Sequence, residues 1–192
     1  MNTVLRLIIF NSDHGDEFND HGQFGHAHKN LHPELTFVPF VIRFPTELRV
    51  SPQRVSIPVQ SLDIFPTIVG VVGIPTPQRL SGRNLLPIRE LAFPERVTFS
   101  NQNSFMSLRT AQHALVVDNE GESFALFDSQ KDPHEQSPLL NPREHPAFVP
   151  MKTKADLWHT KFSIEARKEP PGDRSQISED LKRSLEALGY VQ

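Results

Sequence analysis

Seventeen prolines run through the 192 residues, and they limit the fold more than any other feature. Each fixes φ and removes a backbone donor, so proline suits a first helical turn or a strand edge and interrupts either element elsewhere. Short elements, long irregular connections and few long helices are expected. The longest apolar stretch, Ile64 to Pro75, is itself broken by Pro66, Gly70 and Gly73. It falls far short of the ~20 residues of a membrane span. The length is enough for one domain with a real core, at roughly 100–200 residues per domain.

Between the prolines, Val4 to Phe10 is apolar apart from Arg6 and stops at Asn11-Ser12-Asp13-His14-Gly15. It reads as a buried strand with a polar loop at its C-terminal end, where parallel α/β sheets bind ligands. Asp16 to His32 reads as a loop, and Phe37 to Phe44 as a second strand with Pro39 at a bulge or unpaired position. Ser61 to Val72 is the best helix. Ser61 or Asp63 caps it, Pro66 falls near the first turn, and Gly73 and Pro75 end it. Three or four short strands follow, at Arg96–Ser100, Thr110–Val117 and Glu122–Asp128, the last two flanking a hairpin turn at Asp118–Gly121. Helical spacing returns at Met151–Lys168 and Ser178–Leu188. The chain therefore divides into an α/β part, 1–92, and a smaller part, 93–192, of short antiparallel strands and a terminal helix. Two sheet strands and one crossover are too few for a free-standing doubly wound domain, so part of a larger fold is expected.

Composition closes several routes. The absence of cysteine removes disulfides, thiolate nucleophiles and Cys-ligated zinc together. Twenty Lys and Arg against 23 Asp and Glu leave a net charge of −3, which gives no footprint for nucleic acid or an anionic membrane. The first residues lack a basic run and a small-residue cleavage site, so neither a signal peptide nor a membrane anchor is expected here and the chain reads as soluble. No P-loop, dinucleotide glycine fingerprint or Ser/His/Asp nucleophile motif is present.

The densest chemistry is Asp13-His14-Gly15-Asp16-Glu17, followed by His21, His26 and His28. A carboxylate beside an imidazole offers a divalent cation one hard oxygen and one nitrogen. The same residues also suit a solvated loop. A zinc site built from the histidines has no HExxH helix behind it. Asp63 reads as a helix cap rather than a catalytic acid. His32, His113, His134, His145 and His159 read as structural or surface residues, and Arg83 as a turn residue.

Four blocks, in order, resemble the sulfatase family. LIIFNSDHGDEFNDHGQFGHAH and PELTFVPFVIRFP resemble its strand ending at Asp-His-Gly, its glycine-histidine loop and its Val-Pro strand. VSIPVQSLDIFPTIVGVVGIPTPQRLSGRNLLPI resembles its Leu-Asp-x-x-Pro-Thr helix, Gly-Ile-Pro and Gly-Arg-x-Leu-Leu-Pro block. FALFDSQKDPHEQSPLL is similar to its Asp-Pro-x-Glu strand and loop, and LEALGYV to its ending. The resemblance is to the C-terminal portion of these proteins. It implies part of an alkaline-phosphatase-like α/β sulfatase fold and a sulfuric ester hydrolase.

The resemblance also implies roles. Asp13 and His14 match a second pair of metal ligands, for calcium or less often another divalent cation. His26, with His28 as the alternative, matches the basic residue that contacts sulfate and assists the leaving oxygen. The substrate implied is a sulfated small molecule or glycan. The family's formylglycine arises from a Cys/Ser-x-Pro-x-Arg motif. Here Ser51-Pro52-Gln53-Arg54 has proline in the wrong place, and the first aspartate pair of the metal site has no match. Leu31-His32-Pro33-Glu34 departs from the usual Leu-Tyr-Asp-Glu. The isolated chain is therefore expected to be inactive and to need an N-terminal half. A phosphoester or phosphonate hydrolase of the same superfamily, or an inactive remnant or docking piece, are the rival readings.

Overall fold

The computed structural model describes residues 6–26, 31–75, 80–86, 97–102, 104–118, 123–166 and 183. The chain divides into two compact units, Met1–Phe148 and Val149–Gln192. The expected boundary between residues 92 and 93 lies outside the described residues, as do His28, the centre of the Asp118–Gly121 turn and, apart from Arg183, the Ser178–Leu188 helix.

The first unit begins with β1 (Ile8–Asn11), β2 (Glu17–Phe18), β3 (Phe24–Gly25), α1 (Pro33–Thr36) and β4 (Phe40–Arg43). β1 was expected to be buried and part of a parallel sheet. It pairs antiparallel with β4, Ile8 opposite Arg43 and Asn11 opposite Phe40, and both Ile8 (52%) and Phe10 (62%) are exposed. These two strands form a sheet by themselves among the described residues, and a two-stranded ribbon cannot bury both of its faces. Pro39 precedes β4 instead of bulging it, because the ladder starts after the missing donor. The expected loop after Gly15 contains a short ladder, β2 with β3, turned by Asn19 (φ 74°) and Gly22 (φ 79°).

A 3₁₀ turn at Ser61–Asp63 leads into α2 (Ile64–Val72), which ends at Gly73 in the left-handed region (φ 75°). Gln60 and Asp63 form a capping box, and the Gln60 amide donates to Asp63 Oδ2 at 2.9 Å. Asp63 is fully buried, and its Oδ1 accepts the Arg83 amide at 2.8 Å. Thr67 Oγ1 donates to the Asp63 carbonyl (2.6 Å) and accepts the Leu85 amide (2.9 Å). The Leu-Asp-x-x-Pro-Thr sequence is thus a clamp on residues 81–86, with Gly82 against the Leu62 carbonyl where a Cβ would collide.

Next comes a four-stranded antiparallel meander in chain order: β5 (Thr98–Gln102), β6 (Phe105–Arg109), β7 (His113–Asp118) and β8 (Ser123–Asp128). β6 was not foreseen, and the strand expected from Thr110 starts at His113. Thr110 Oγ1 accepts the amides of Gln112 (3.2 Å) and His113 (2.9 Å), which makes 110–112 a turn. Leu108, Leu115 and Leu126 lie opposite one another across three strands and are fully buried. Each such side chain contributes about 1.5–3 kcal/mol by burial. The other face carries Ser107, Arg109, Ala114, Val116 and Phe127, all buried. His32 meets Phe127 edge-on there, with ring centres 5.8 Å apart.

α3 spans Phe148–Ala166, and residues 149–166 of it together with Arg183 are the second unit's described residues. Pro150 falls in its first turn, where proline is tolerated, and Lys152 pairs with Asp156 one turn on at 2.6 Å. Among the described residues, no helix is long and apolar enough to cross a membrane.

Candidate functional site

Asp13 stands two residues beyond β1, where the strand gives way to a polar loop. Its Oδ1 accepts the His14 amide at 3.0 Å. His14 Nδ1 lies 2.9 Å from the Gly15 carbonyl. A carbonyl only accepts, so Nδ1 carries the hydrogen and the neutral ring keeps its lone pair on Nε2. That Nε2 is 3.8 Å from Asp13 Oδ2, which sets a carboxylate oxygen beside an imidazole lone pair.

His26 comes from the end of β3. Its ring centre is 4.2 Å from that of His14, and its Nδ1 is 2.8 Å from Asp16 Oδ1. The Asp16 carboxylate accepts the Nδ1 hydrogen and orients the ring. Ligand-type atoms of His14, Asp16 and His26 all lie within 4.8 Å of one another. The structure therefore brings His14 and His26 together with Asp16 as the partner of His26, and sets Asp13 beside His14 but outside that cluster of donor atoms. His28 lies outside the described residues.

Two supports hold this loop. The Gly15 amide donates to the Leu35 carbonyl (3.0 Å), and a Cβ at Gly15 would collide with the Glu34 carbonyl. Glycine is needed there to let the loop lie on α1. The second support is a buried polar network. Arg109 Nε and Nη2 donate to the two carboxylate oxygens of Glu135 at 2.9 and 3.0 Å, Nη2 also donates to the Leu31 carbonyl (2.6 Å), and Nη1 donates to Ser107 Oγ. His32 Nδ1 donates to Glu135 Oε2 at 3.0 Å. Burial pushes the Arg109 guanidinium below its ordinary value, and the Glu135 carboxylate opposes that shift. Asp132 sets Glu135 in place: its side chain accepts the amides of Gln136 (3.0 Å) and Ser137 (2.8 Å), and its carbonyl accepts the Glu135 amide (3.1 Å).

Arg109 and Glu135 were not among the residues singled out from the sequence. The signals available were one arginine ending the mostly apolar run FMSLR, and a glutamate three residues after Asp132. A buried arginine requires an acceptor.

The α/β scaffold thus gathers a carboxylate, an imidazole pair and a second carboxylate on one strand-end loop. Residues 6–74 match the family model for sulfatase. Arylsulfatase K of Bos taurus is 32% identical over 146 residues, covering 67% of this chain and 26% of that protein. The multifunctional alkaline phosphatase superfamily protein PehA of Trinickia caryophylli is 29% identical over 165 residues, covering 74% and 32%. A solved 2-O GAG sulfatase shares the fold with a TM-score of 0.67 at 23% identity, covering 85% of this chain and 38% of that one. The chain belongs to the sulfatase family. It spans about a quarter to a third of the length of the curated relatives it matches.

Proposed function

We propose that this chain supplies part of the active site for hydrolysis of a sulfate ester on a small molecule or glycan. The observation that carries the reading is the convergence of His14 and His26, at 4.2 Å between ring centres, beside Asp13. Asp13 and His14 would hold a divalent cation, calcium by preference for a hard carboxylate oxygen. The cation supplies Lewis-acid polarisation of the ester when bound. When it carries a second proton, His26, oriented by its Nδ1–H on Asp16, would give the Nε2 proton to the leaving oxygen as the S–O bond breaks and be left as the neutral ring. His28 is the alternative for this role.

These 192 residues hold no cysteine and no Cys/Ser-x-Pro-x-Arg, so the nucleophile and the remaining metal ligands would be supplied by residues outside them. Exposed apolar side chains on the ribbon (Ile8, Phe10, Val41) and on α2 (Phe65, Ile68, Val72) support a surface that those outside residues cover. A phosphate or phosphonate ester is the second reading, favoured by the likeness to a multifunctional alkaline phosphatase superfamily protein.

The test is co-expression with a sulfatase N-terminal half that carries the nucleophile motif, assayed on an aryl sulfate, an aryl phosphate and a phosphonate ester. Turnover is expected in the mixture and not in the chain alone, with loss in Asp13→Ala and in His26→Ala or His28→Ala. Turnover indifferent to all three substitutions, or a folded mixture with no turnover, would leave a docking piece without a catalytic role.

A further inference from the structure

A second donor cluster lies apart from Asp13, His14 and His26. Glu17 of β2, His21 of the following turn and Glu34 of α1 offer ligand-type atoms within 4.8 Å of one another. Glu17 is 1% exposed, and the side chains of His21 and Glu34 are 14% and 12% exposed.

The tautomer of His21 is set from its far side. Nε2 lies 3.0 Å from the Glu135 carbonyl, which only accepts, so Nε2 carries the hydrogen. The Gln136 amide nitrogen is a longer contact at 3.3 Å and donates to the Asp20 carbonyl. A neutral His21 therefore turns the Nδ1 lone pair toward Glu34 Oε2, 3.4 Å away. Both atoms are sealed from solvent, and neither makes a hydrogen bond.

Two acceptors facing each other in a buried site need a positive charge between them. A charge-assisted N–H···O bond closes to ~2.7–2.9 Å, and this pair stays wider. Two ligands each ~2.1 Å from one tetrahedral ion stand roughly 3.4 Å apart. The neighbouring groups behave as supports for a ligand. The His32 ring stacks on His21 with centres 3.7 Å apart and planes within 5°, and the Glu135 carbonyl takes the other ring N–H.

We propose that Glu17, His21 and Glu34 bind a first-row divalent cation, Zn²⁺ by donor set and affinity order, as a structural site separate from Asp13 and His14. The ion ties β2, its turn and α1 together. This proposal is independent of the sulfatase chemistry.

The probe is Co²⁺, whose visible spectrum reports coordination, followed by displacement with Zn²⁺ on the tag-free, chelator-stripped chain. One Co²⁺ per chain with an intense tetrahedral spectrum is expected, lost in His21→Ala and Glu34→Gln and retained in the Asp13→Ala/His14→Ala double variant. Zn²⁺ should also raise the melting temperature of the unsubstituted chain by several degrees, a readout that requires no variant to fold. A stripped chain with neither a cobalt spectrum nor a melting shift at micromolar metal would make the contact a protonated His21–Glu34 ion pair and overturn the proposal. So would binding that survives in His21→Ala or disappears in the Asp13/His14 variant.

Discussion

Arg109 and Glu135 form a two-point ion pair, Nε to Oε1 at 2.9 Å and Nη2 to Oε2 at 3.0 Å, with both side chains buried. The pair joins β6 to the residues that open α1, since the same guanidinium holds the Leu31 carbonyl and the same carboxylate holds His32. Removing one partner leaves a buried charge without its counter-ion. Arg109→Met or Glu135→Leu is expected to cost about 3–5 kcal/mol, and the double variant less than the sum. Urea unfolding midpoints at fixed m-value measure this. Additive losses in the double variant would mean that the two residues act separately.

Gly15→Ala places a Cβ against the Glu34 carbonyl, which is backbone and cannot swing away. Either the loop or α1 must move, and the Gly15 amide bond to Leu35 is lost or strained. Overpacking of this kind costs about 1–3 kcal/mol. Gly22 has a positive φ and open space around it, so Gly22→Asn should cost less than Gly15→Ala. Thermal unfolding of the two variants side by side gives the comparison, and equal losses would contradict the steric account.

What was legible in the sequence was local. Asp13-His14-Gly15 announced a loop after a strand because a run of apolar residues stopped at a polar cluster. Asp63 read as a cap because Ser61 to Val72 had the spacing of a helix; its carboxylate reaches back to the Gln60 amide as the partner in a capping box whose N-cap is Gln60, and makes no cap bond to α2 itself. The antiparallel pairing of Ile8 with Arg43 is set by contacts far apart in sequence, which periodicity does not encode. β6 was missed because Ser107 and Arg109 interrupt its apolar pattern. Both serve the buried network, so the residues that hid the strand are those that hold the loop. His26 stood out by composition, but its pairing with Asp16 required the β2–β3 turn, whose two-residue strands are too short to read.

His113 gives the chain a pH response. Burial, then the charge of His145, holds its imidazole below the ordinary value of 6.5, Lys131 adds to the lowering, and Asp128 pulls the other way. The two rings lie 4.9 Å apart between centres. The unfolded chain takes up a proton near the ordinary value while the folded chain still resists it. The contribution of His113 to stability is therefore expected to be full above about pH 6.5 and to fall as the pH drops below it. The melting temperature is expected to decline between pH 7 and 5, and His113→Gln should flatten that decline. An unchanged slope in His113→Gln would assign the response to other groups.

Calcium provides the contrast with the buried cluster. At the loop, Asp13 offers one carboxylate and His14 one lone pair, 3.8 Å apart, whereas a calcium ion takes six to eight ligands, nearly all oxygen. Asp16 is engaged with His26, and the Asp20 side chain accepts the Phe18 amide. Drawing either toward an ion gives up a bond already made. Millimolar calcium should therefore leave the melting temperature of the chain almost unchanged, since stabilisation by a ligand grows only with its concentration relative to Kd. A polypeptide bringing further carboxylates would convert the same two residues into part of a tight site. Isothermal calorimetry on the chain alone decides the point: micromolar calcium binding that is lost in Asp13→Ala would show that these 192 residues complete the site without help.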